Sequence, residues 1–467
     1  MIDFDECKRH NSSMDLKKWA STITLLLSPI LLVAEKPNVV IFLADDLGWK
    51  DVGFNGSVIE TPHIDSLANE GIQLERFYVQ SICSPTRGSL MSGKYAFNLG
   101  LQVDVIRPWD VYGLNLEEKT LPQYFKQAGY ATAIVGKWHL GLSKQAFLPQ
   151  NRGFNYQFGH YLGMIDYFTH DRLGGVDWHR NGEVVYEEGY TTDLMGDEAV
   201  RVIEQHSADQ PLFLYVPFNA PHTPLQAPEE YLKKYAHIED ESRRIFAAMV
   251  DCMDVAIGRV ISALESKGMR ENTLLMFSSD NGGRIRFGAR NGKFRGGKKE
   301  LFEGGIRVPT AIHWPGHLEG GKKISEVVHI VDVLPTLANI IGQDVSGIDG
   351  MNVLPVLKGA KQTRTEVPLH IAPTRAALLD GKWKLVISAE EPVNGASSML
   401  VHLFDIEADP YEKEDLKKRH PKVLKRIMAK IEAYRKSSYP PHGIAGNSET
   451  SVPEEFTMPK IWRPWLD

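Results

Sequence analysis

The stretch Val39–Asp46, VVIFLADD, runs through six apolar residues without a break and then stops on two carboxylates. An uninterrupted run of this length suits a strand buried on both faces, as in the middle of a parallel sheet. Ala131–Val135, Leu212–Phe218 and Leu274–Ser278 have the same character. Helical patterns over Leu121–Ala128, Thr192–Glu204 and Ser242–Lys267 alternate with them. That alternation predicts an α/β fold with a large, mostly parallel mixed sheet sandwiched by helices.

After residue 365 the pattern changes. Arg375–Leu379 and Lys382–Ser388 flank Asp380-Gly381, a hairpin signal, and Met399–Phe404 adds a strand. Val423, Leu424, Ile427, Met428 and Ile431 then follow helical spacing. The expected layout is a large α/β domain over 35–364, a small α+β domain with an antiparallel sheet over 365–438, and an irregular tail over 439–467.

Of 467 residues, 43% are hydrophobic and 24% charged, which excludes a disordered or fibrous chain. The formal charge is −6, so nucleic acid is not an expected partner. Only Cys7, Cys83 and Cys252 are present, too few for a disulfide scaffold or a four-Cys metal site. Cys252 falls in a helical pattern with Met249, Met253 and Ile257 and reads as core. Ala20–Ala34, ASTITLLLSPILLVA, follows Lys17 and Lys18 and is short for a membrane anchor. It has the form of a secretory signal over 1–34, more ordinary if the chain starts at Met14, so export without a stable anchor is expected.

Ligands of open α/β sheets bind beyond the carboxyl ends of the strands. Here the four apolar runs hand over to Asp45-Asp46, to Gly136-Lys137-Trp138-His139, to Asn219-Ala220-Pro221-His222 and to Ser279-Asp280-Asn281-Gly282-Gly283. Asp45, Asp46, Asp280 and Asn281 offer hard oxygens, which favours Ca²⁺ or Mg²⁺ over Zn²⁺. Lys137, His139 and His222 add positive or proton-donating groups, and together these make a pocket for an anion such as sulfate or phosphate. The segment 284–299 carries seven Lys or Arg and no acid, and its position after Asp280-Asn281 suggests a loop lining an anionic substrate's path.

Cys83-Ser84-Pro85-Thr86-Arg87-Gly88 reads as a polar turn, an odd place for a cysteine that merely fills a core. With Ser89–Tyr95 and with Gly136–Gly141 it resembles the signatures of the sulfatase family in the alkaline-phosphatase-like superfamily, Cys83, Pro85 and Arg87 matching Cys-x-Pro-x-Arg. The resemblance runs from Pro37 to Tyr434 and is strongest to the arylsulfatase branch that includes N-acetylgalactosamine-4-sulfatases. It implies that a maturation enzyme converts Cys83 to Cα-formylglycine, whose hydrate supplies the nucleophile. It also implies that Asp45, Asp46, Asp280, Asn281 and residue 83 hold one Ca²⁺. Arg87 would stabilise the hydrate with Lys137 and His139 around it, while His222 and Lys298 would bind the sulfate or protonate the leaving oxygen. Lys298 is preferred to Lys299 by its spacing to Glu303-Gly304-Gly305.

The implied activity is hydrolysis of a sulfated carbohydrate or aryl sulfate. A thiol attacking sulfur would leave a thiosulfate with no easy exit, whereas a gem-diol can expel sulfate through its second hydroxyl. A related phosphatase and a non-catalytic binder of sulfated glycans are the alternatives. Few cysteines and a single Asn-x-Ser/Thr site after the signal, Asn55-Gly56-Ser57, favour a bacterial-type periplasmic or secreted enzyme over a lysosomal one.

Overall fold

The computed structural model describes residues 36–389, 399–442 and 452–466. The signal-like stretch 1–34 and part of the 439–467 tail lie outside them. Among the described residues no helix is long and apolar enough to cross a membrane.

The four apolar runs become the strands Asn38–Ala44 (β1), Ala131–Val135 (β2), Leu212–Pro217 (β3) and Thr273–Ser279 (β4). They lie side by side in the order β4-β1-β3-β2, all parallel, at the centre of a ten-stranded sheet. Every residue of β1 is buried. Because successive side chains of a strand point to opposite faces, Val39, Ile41 and Leu43 enter one core while Val40, Phe42 and Ala44 enter another. The first core takes Phe125 of the Leu121–Gln127 helix and Leu334 of the Val333–Ile340 helix. The second takes Met195 and Ile203 of the Thr191–Gln205 helix, with Met249, Cys252 and Met253 of the Glu241–Ser266 helix. The expected sandwich with a buried Cys252 is what forms. Three strands beyond β4, Ala311–His313, Ile72–Leu74 and the edge strand Lys322–Ile324, are three residues long and too short to show a pattern in sequence.

Glu366–Ile371, Ala376–Asp380, Trp383–Ala389 and Met399–Asp405 form a separate four-stranded antiparallel sheet. Asp380 pairs with Trp383, so the turn is Gly381-Lys382, one residue later than the sequence suggested, with Gly381 at φ +61°. The Pro421–Ser437 helix packs on this sheet through Ile427 and Ile431. One local expectation fails. Cys83–Ser92 is an α-helix, buried at all ten positions, and not a polar turn. Pro85 fits its first turn because the N–H groups there need no helical partner.

A buried ionic cluster joins the small sheet to the short Glu303–Ile306 helix and to Tyr78. Lys384, fully buried, places its Nζ 2.8 Å from Glu303 and 2.8 Å from Glu412. Glu303 also accepts from the Tyr78 hydroxyl at 3.0 Å, and its N–H donates to Glu412 at 2.7 Å. Burial, with Glu303 alongside, pushes the Glu412 carboxyl up from its ordinary range. Lys384→Ala would leave two buried carboxylates facing each other, and a broken buried pair costs about 3–5 kcal/mol. The urea midpoint of this variant should fall by the corresponding amount at pH 8 and by less at pH 5, where the stranded carboxylates take up protons; an unchanged midpoint at pH 8 would refute the clamp.

Candidate active site

Parallel register brings the polar residues together. Ala44 of β1 lies opposite Ser279 of β4, so Asp45-Asp46 and Asp280-Asn281 leave neighbouring strands at the same level. The Asp45 N–H donates to Ala220 O and the Asp280 N–H to Ala44 O, both at 3.0 Å. The Lys137 N–H donates to Pro217 O at 2.8 Å, and Gly136 before it has φ +137°. A Cβ at Gly136 would stand 2.1 Å from that same carbonyl, so only glycine fits. Asp46, His139 and Lys299 all adopt left-handed backbone, with φ of +68°, +58° and +76°. Non-glycine residues seldom do so, and three of the seven that do so among the described residues stand here.

Cys83 begins its buried helix at the centre of this group. Its Sγ lies 3.4 Å from Asp45 Oδ1, 3.5 Å from Asn281 Oδ1 and 3.4 Å from Lys298 Nζ. Each carboxylate has a cation. Lys137 Nζ is 2.5 Å from Asp45 Oδ2, and Lys298 Nζ is 2.6 Å from Asp46 Oδ1. Arg87 donates through Nε and Nη2 to Asp280 Oδ2 at 3.0 and 2.8 Å. His222 donates from Nδ1 to Thr223 O at 2.7 Å and turns Nε2 toward Asp46, 3.7 Å away. His139 donates from Nε2 to Ile106 O at 2.9 Å, and its buried Nδ1 has no hydrogen-bond partner among the described residues. All ten residues singled out in the sequence therefore lie in one region, and Lys298 rather than Lys299 reaches Cys83.

Above them is a cavity of about 340 Å³ whose wall includes Cys83, His139, His222 and Lys298. The Arg107–Trp109 loop, Met164, Arg172 and Thr223 also line it. These residues escaped the sequence reading because they sit in irregular segments with no periodicity. An aromatic and an arginine in loops were the only signal. Of the seven basic residues in 284–299, Arg284, Lys298 and Lys299 face this cavity. Arg295 instead stacks 3.9 Å over Phe302, and Lys293 lies over Tyr411, so the segment is only partly a substrate wall.

The electrostatics follow from burial among charges. Burial, then Asp280 and Asp45, push the Cys83 thiol well above its ordinary range. A thiol held this way stays protonated and is a weak nucleophile. Burial would raise Asp46, but Lys298 and His222 outweigh it and hold the carboxyl low. Burial and then Asp45 push Asp280 up against the pull of Arg87. His222 is lowered to about 3 by burial and by Lys298, so its ring is neutral.

The donor set fits a single hard cation. Ligand atoms of Asp45, Asp46, Cys83 and His222 all lie within 4.8 Å of one another. Oxygen ligands at about 2.4 Å from a calcium ion span a sphere of that width. Asn281 Oδ1 points at the same place, since both it and Asp45 Oδ1 approach Cys83 Sγ. Asp280 is less free, because Arg87 holds Oδ2 and the Asp46 N–H reaches Oδ1 at 3.3 Å.

A family model described as Sulfatase matches residues 37–343. The chain belongs to the sulfatase family. Arylsulfatase J of Mus musculus is 34% identical over 488 residues, covering 92% of this chain and 80% of the mouse protein. N-acetylgalactosamine-6-sulfatase of Mus musculus is 33% identical over 398 residues, covering 78% of this chain and 75% of that one. The crystal structure of Ps i-CgsB in complex with k-i-k-neocarrahexaose superposes with a TM-score of 0.81 at 32% identity, covering 89% of this chain and 96% of that chain. The relatives place this sulfatase among the sulfuric ester hydrolases, as the motifs had suggested, and the shared fold is the alkaline-phosphatase-like one.

In this sulfatase the Arg87–Asp280 pair is fully desolvated, with Arg87 1% exposed and Asp280 fully buried. Arg87→Met should therefore lower the guanidinium chloride midpoint by an amount equivalent to about 3–5 kcal/mol, because it strands a carboxylate. Arg87→Met with Asp280→Asn should recover much of that loss, since the charge left behind is gone. A double variant no more stable than the single one would show that the pair is not what Arg87 contributes.

Proposed function

We propose that this sulfatase cleaves sulfate from a sulfated carbohydrate or an aryl sulfate, with residue 83 matured to Cα-formylglycine and one Ca²⁺ held beside it. The observation that carries this reading is the setting of Cys83. It stands at the cavity floor among Asp45, Asn281 and Lys298, yet its thiol is pushed toward the inert protonated form. A cysteine placed at the reacting position and disabled as a thiolate is suited to a different nucleophile made from it. The unpartnered Nδ1 of His139 supports this, because it offers an acceptor to a hydroxyl on residue 83 or on the substrate.

Asp45, Asp46, Asn281 and residue 83 would hold the cation, with Asp280 as a further ligand through Oδ1. When present, the two groups supply an oxygen nucleophile and a Lewis acid for the sulfate oxygens. The remaining work falls to this chain's own side chains. Arg87, Lys137 and Lys298 balance Asp280, Asp45 and Asp46, so three carboxylates can sit together out of water. Lys298 and His222 face the cavity, where they meet the sulfate oxygens. His222 is neutral before substrate arrives; the negative charge of the ester favours proton uptake at Nε2, from which the leaving oxygen is protonated. Lys298 keeps its proton because Asp46 outweighs the cost of burial, and it serves as a fixed positive charge toward the sulfuryl group.

The nominated side chains all fall within 35–364, which we take as the catalytic domain, with 365–438 supporting it. The form of 1–34 supports export to the periplasm or the medium, with a maturation enzyme as the necessary partner. The structural relative solved with neocarrahexaose supports a glycan as the natural substrate.

Cys83→Ala should abolish hydrolysis of an aryl sulfate with no loss of melting temperature. In the active protein the tryptic peptide Phe77–Arg87 should have the mass of an aldehyde in place of CH₂SH. Turnover by the alanine variant would refute the nucleophile, and an active protein with an unmodified peptide would refute the maturation.

Chelation should abolish turnover, with recovery on adding Ca²⁺. It should also lower the melting temperature, because Asp45, Asp46 and Asp280 lose a shared counterion and a ligand that binds only the folded state. Full activity of protein verified free of metal would overturn the calcium assignment.

A further inference from the structure

The catalytic cavity continues in two directions, and the two extensions differ in charge. On one side it shares Arg284, Lys298 and Lys299 with a neighbouring cavity of about 370 Å³, which Arg286 and Glu300 also line. On another side it shares Met164, Arg172 and Thr223 with a cavity of about 360 Å³, whose remaining wall includes Asp166, Asp171 and Leu173. The two extensions have no lining residue in common, so they leave the catalytic cavity on different sides.

The basic extension is built in a way that a merely solvated loop is not. Among the described residues, Arg284, Arg286 and Lys299 form no ion pair with any acid, although the chain as a whole is net negative. Of the acids beside it, Asp104 pairs with Arg107 at 2.7 Å, and Glu300 turns back to accept the Gly297 N–H at 2.9 Å. One ring holds the two guanidinium groups, with the Arg284 and Arg286 carbons 4.6 and 4.8 Å from the centre of Phe287. Such cation–π contacts help to order two long side chains before a ligand arrives. Two like charges kept together without a counterion are destabilising until an anion joins them. The other extension presents Asp166 and Asp171 and would repel the same anion.

We propose that Arg284, Arg286 and Lys299 form a second anion subsite, which receives a sulfate or carboxylate on the sugar next to the one being desulfated. The proposal rests on the sulfatase reading above and narrows its substrate class to glycans with anionic groups on neighbouring sugars. Lys299 is fixed in left-handed backbone by its N–H bond to Ser81 O at 2.8 Å, which directs it to the lip beside Lys298. The Debye length is about 8 Å at physiological salt, so these charges act on a group bound within the extension and not on distant parts of a polymer.

The test uses inhibition of 4-methylumbelliferyl sulfate hydrolysis, which does not require the glycan to be turned over. The probes are a neocarratetraose with one sulfate, the same tetrasaccharide with a second sulfate on the adjacent sugar, and a chondroitin 6-sulfate tetrasaccharide. In the wild type the disulfated probe should have a Ki about tenfold below that of the monosulfated one, the value of one charge-assisted contact. Arg284→Gln with Arg286→Gln, checked for an unchanged melting curve, should remove that difference. Chondroitin inhibiting like the disulfate marks a general anion subsite, and chondroitin inhibiting like the monosulfate marks one selective for sulfate. Equal Ki values in the wild type, or a difference that survives in the variant, overturn the proposal. A wild type that releases sulfate from neither the aryl sulfate nor any of the three glycans counts against the sulfatase mechanism instead. Calorimetry of Cys83→Ala with the same three probes then makes the subsite comparison on its own.

Discussion

Asp45, Asp46 and Asp280 are carried to one buried cavity floor by neighbouring parallel strands, and carboxylates so crowded repel. What makes the arrangement stable is their pairing with Lys137, Lys298 and Arg87. Each of these contacts is almost excluded from water, so each is both stronger and more costly to break than its surface equivalent. The pairing also sets the chemistry. The same field that keeps Lys298 charged leaves His222 neutral and the Cys83 thiol protonated.

The small antiparallel sheet belongs to this arrangement through one side chain. Lys384 holds Glu303 and Glu412, and Glu303 opens the short helix that ends the basic segment. Arg295, from the middle of that segment, stacks on Phe302 and donates to Glu412 O at 3.3 Å. The loop carrying Lys298 and Lys299 is thus tethered at its far end to the second sheet. A C-terminal subdomain with no side chain among those nominated for catalysis still helps to fix where a cavity cation stands.

Strained backbone and close approach also shape this region. Gly136 leaves no room for a Cβ against Pro217, and Gly163 none against the His139 ring, where it would stand 2.4 Å away. His139 itself takes left-handed backbone. These local departures from easy geometry are tolerated because two well-packed cores lie directly behind the site on either face of the sheet.

The amino-acid sequence alone determined the strands. Continuous apolar runs such as Val39–Ala44 have only one stable fate, burial on both faces, and the polar residues that follow them must then share an edge. It also determined the signature around Cys83, because that identity is local. Tertiary structure decided what depends on partners distant in the chain: Lys137 meets Asp45 across 92 residues and Arg87 meets Asp280 across 193. Periodicity records how deeply a residue is buried but not which charge it faces. For that reason the neutrality of His222 and the helical burial of Cys83 came only with the fold, which also sets Lys298, the lysine favoured by its spacing, against Cys83. Hydrophobic patterning acts residue by residue along the chain, whereas a protonation state or an ion pair is a property of atoms brought together from several strands at once.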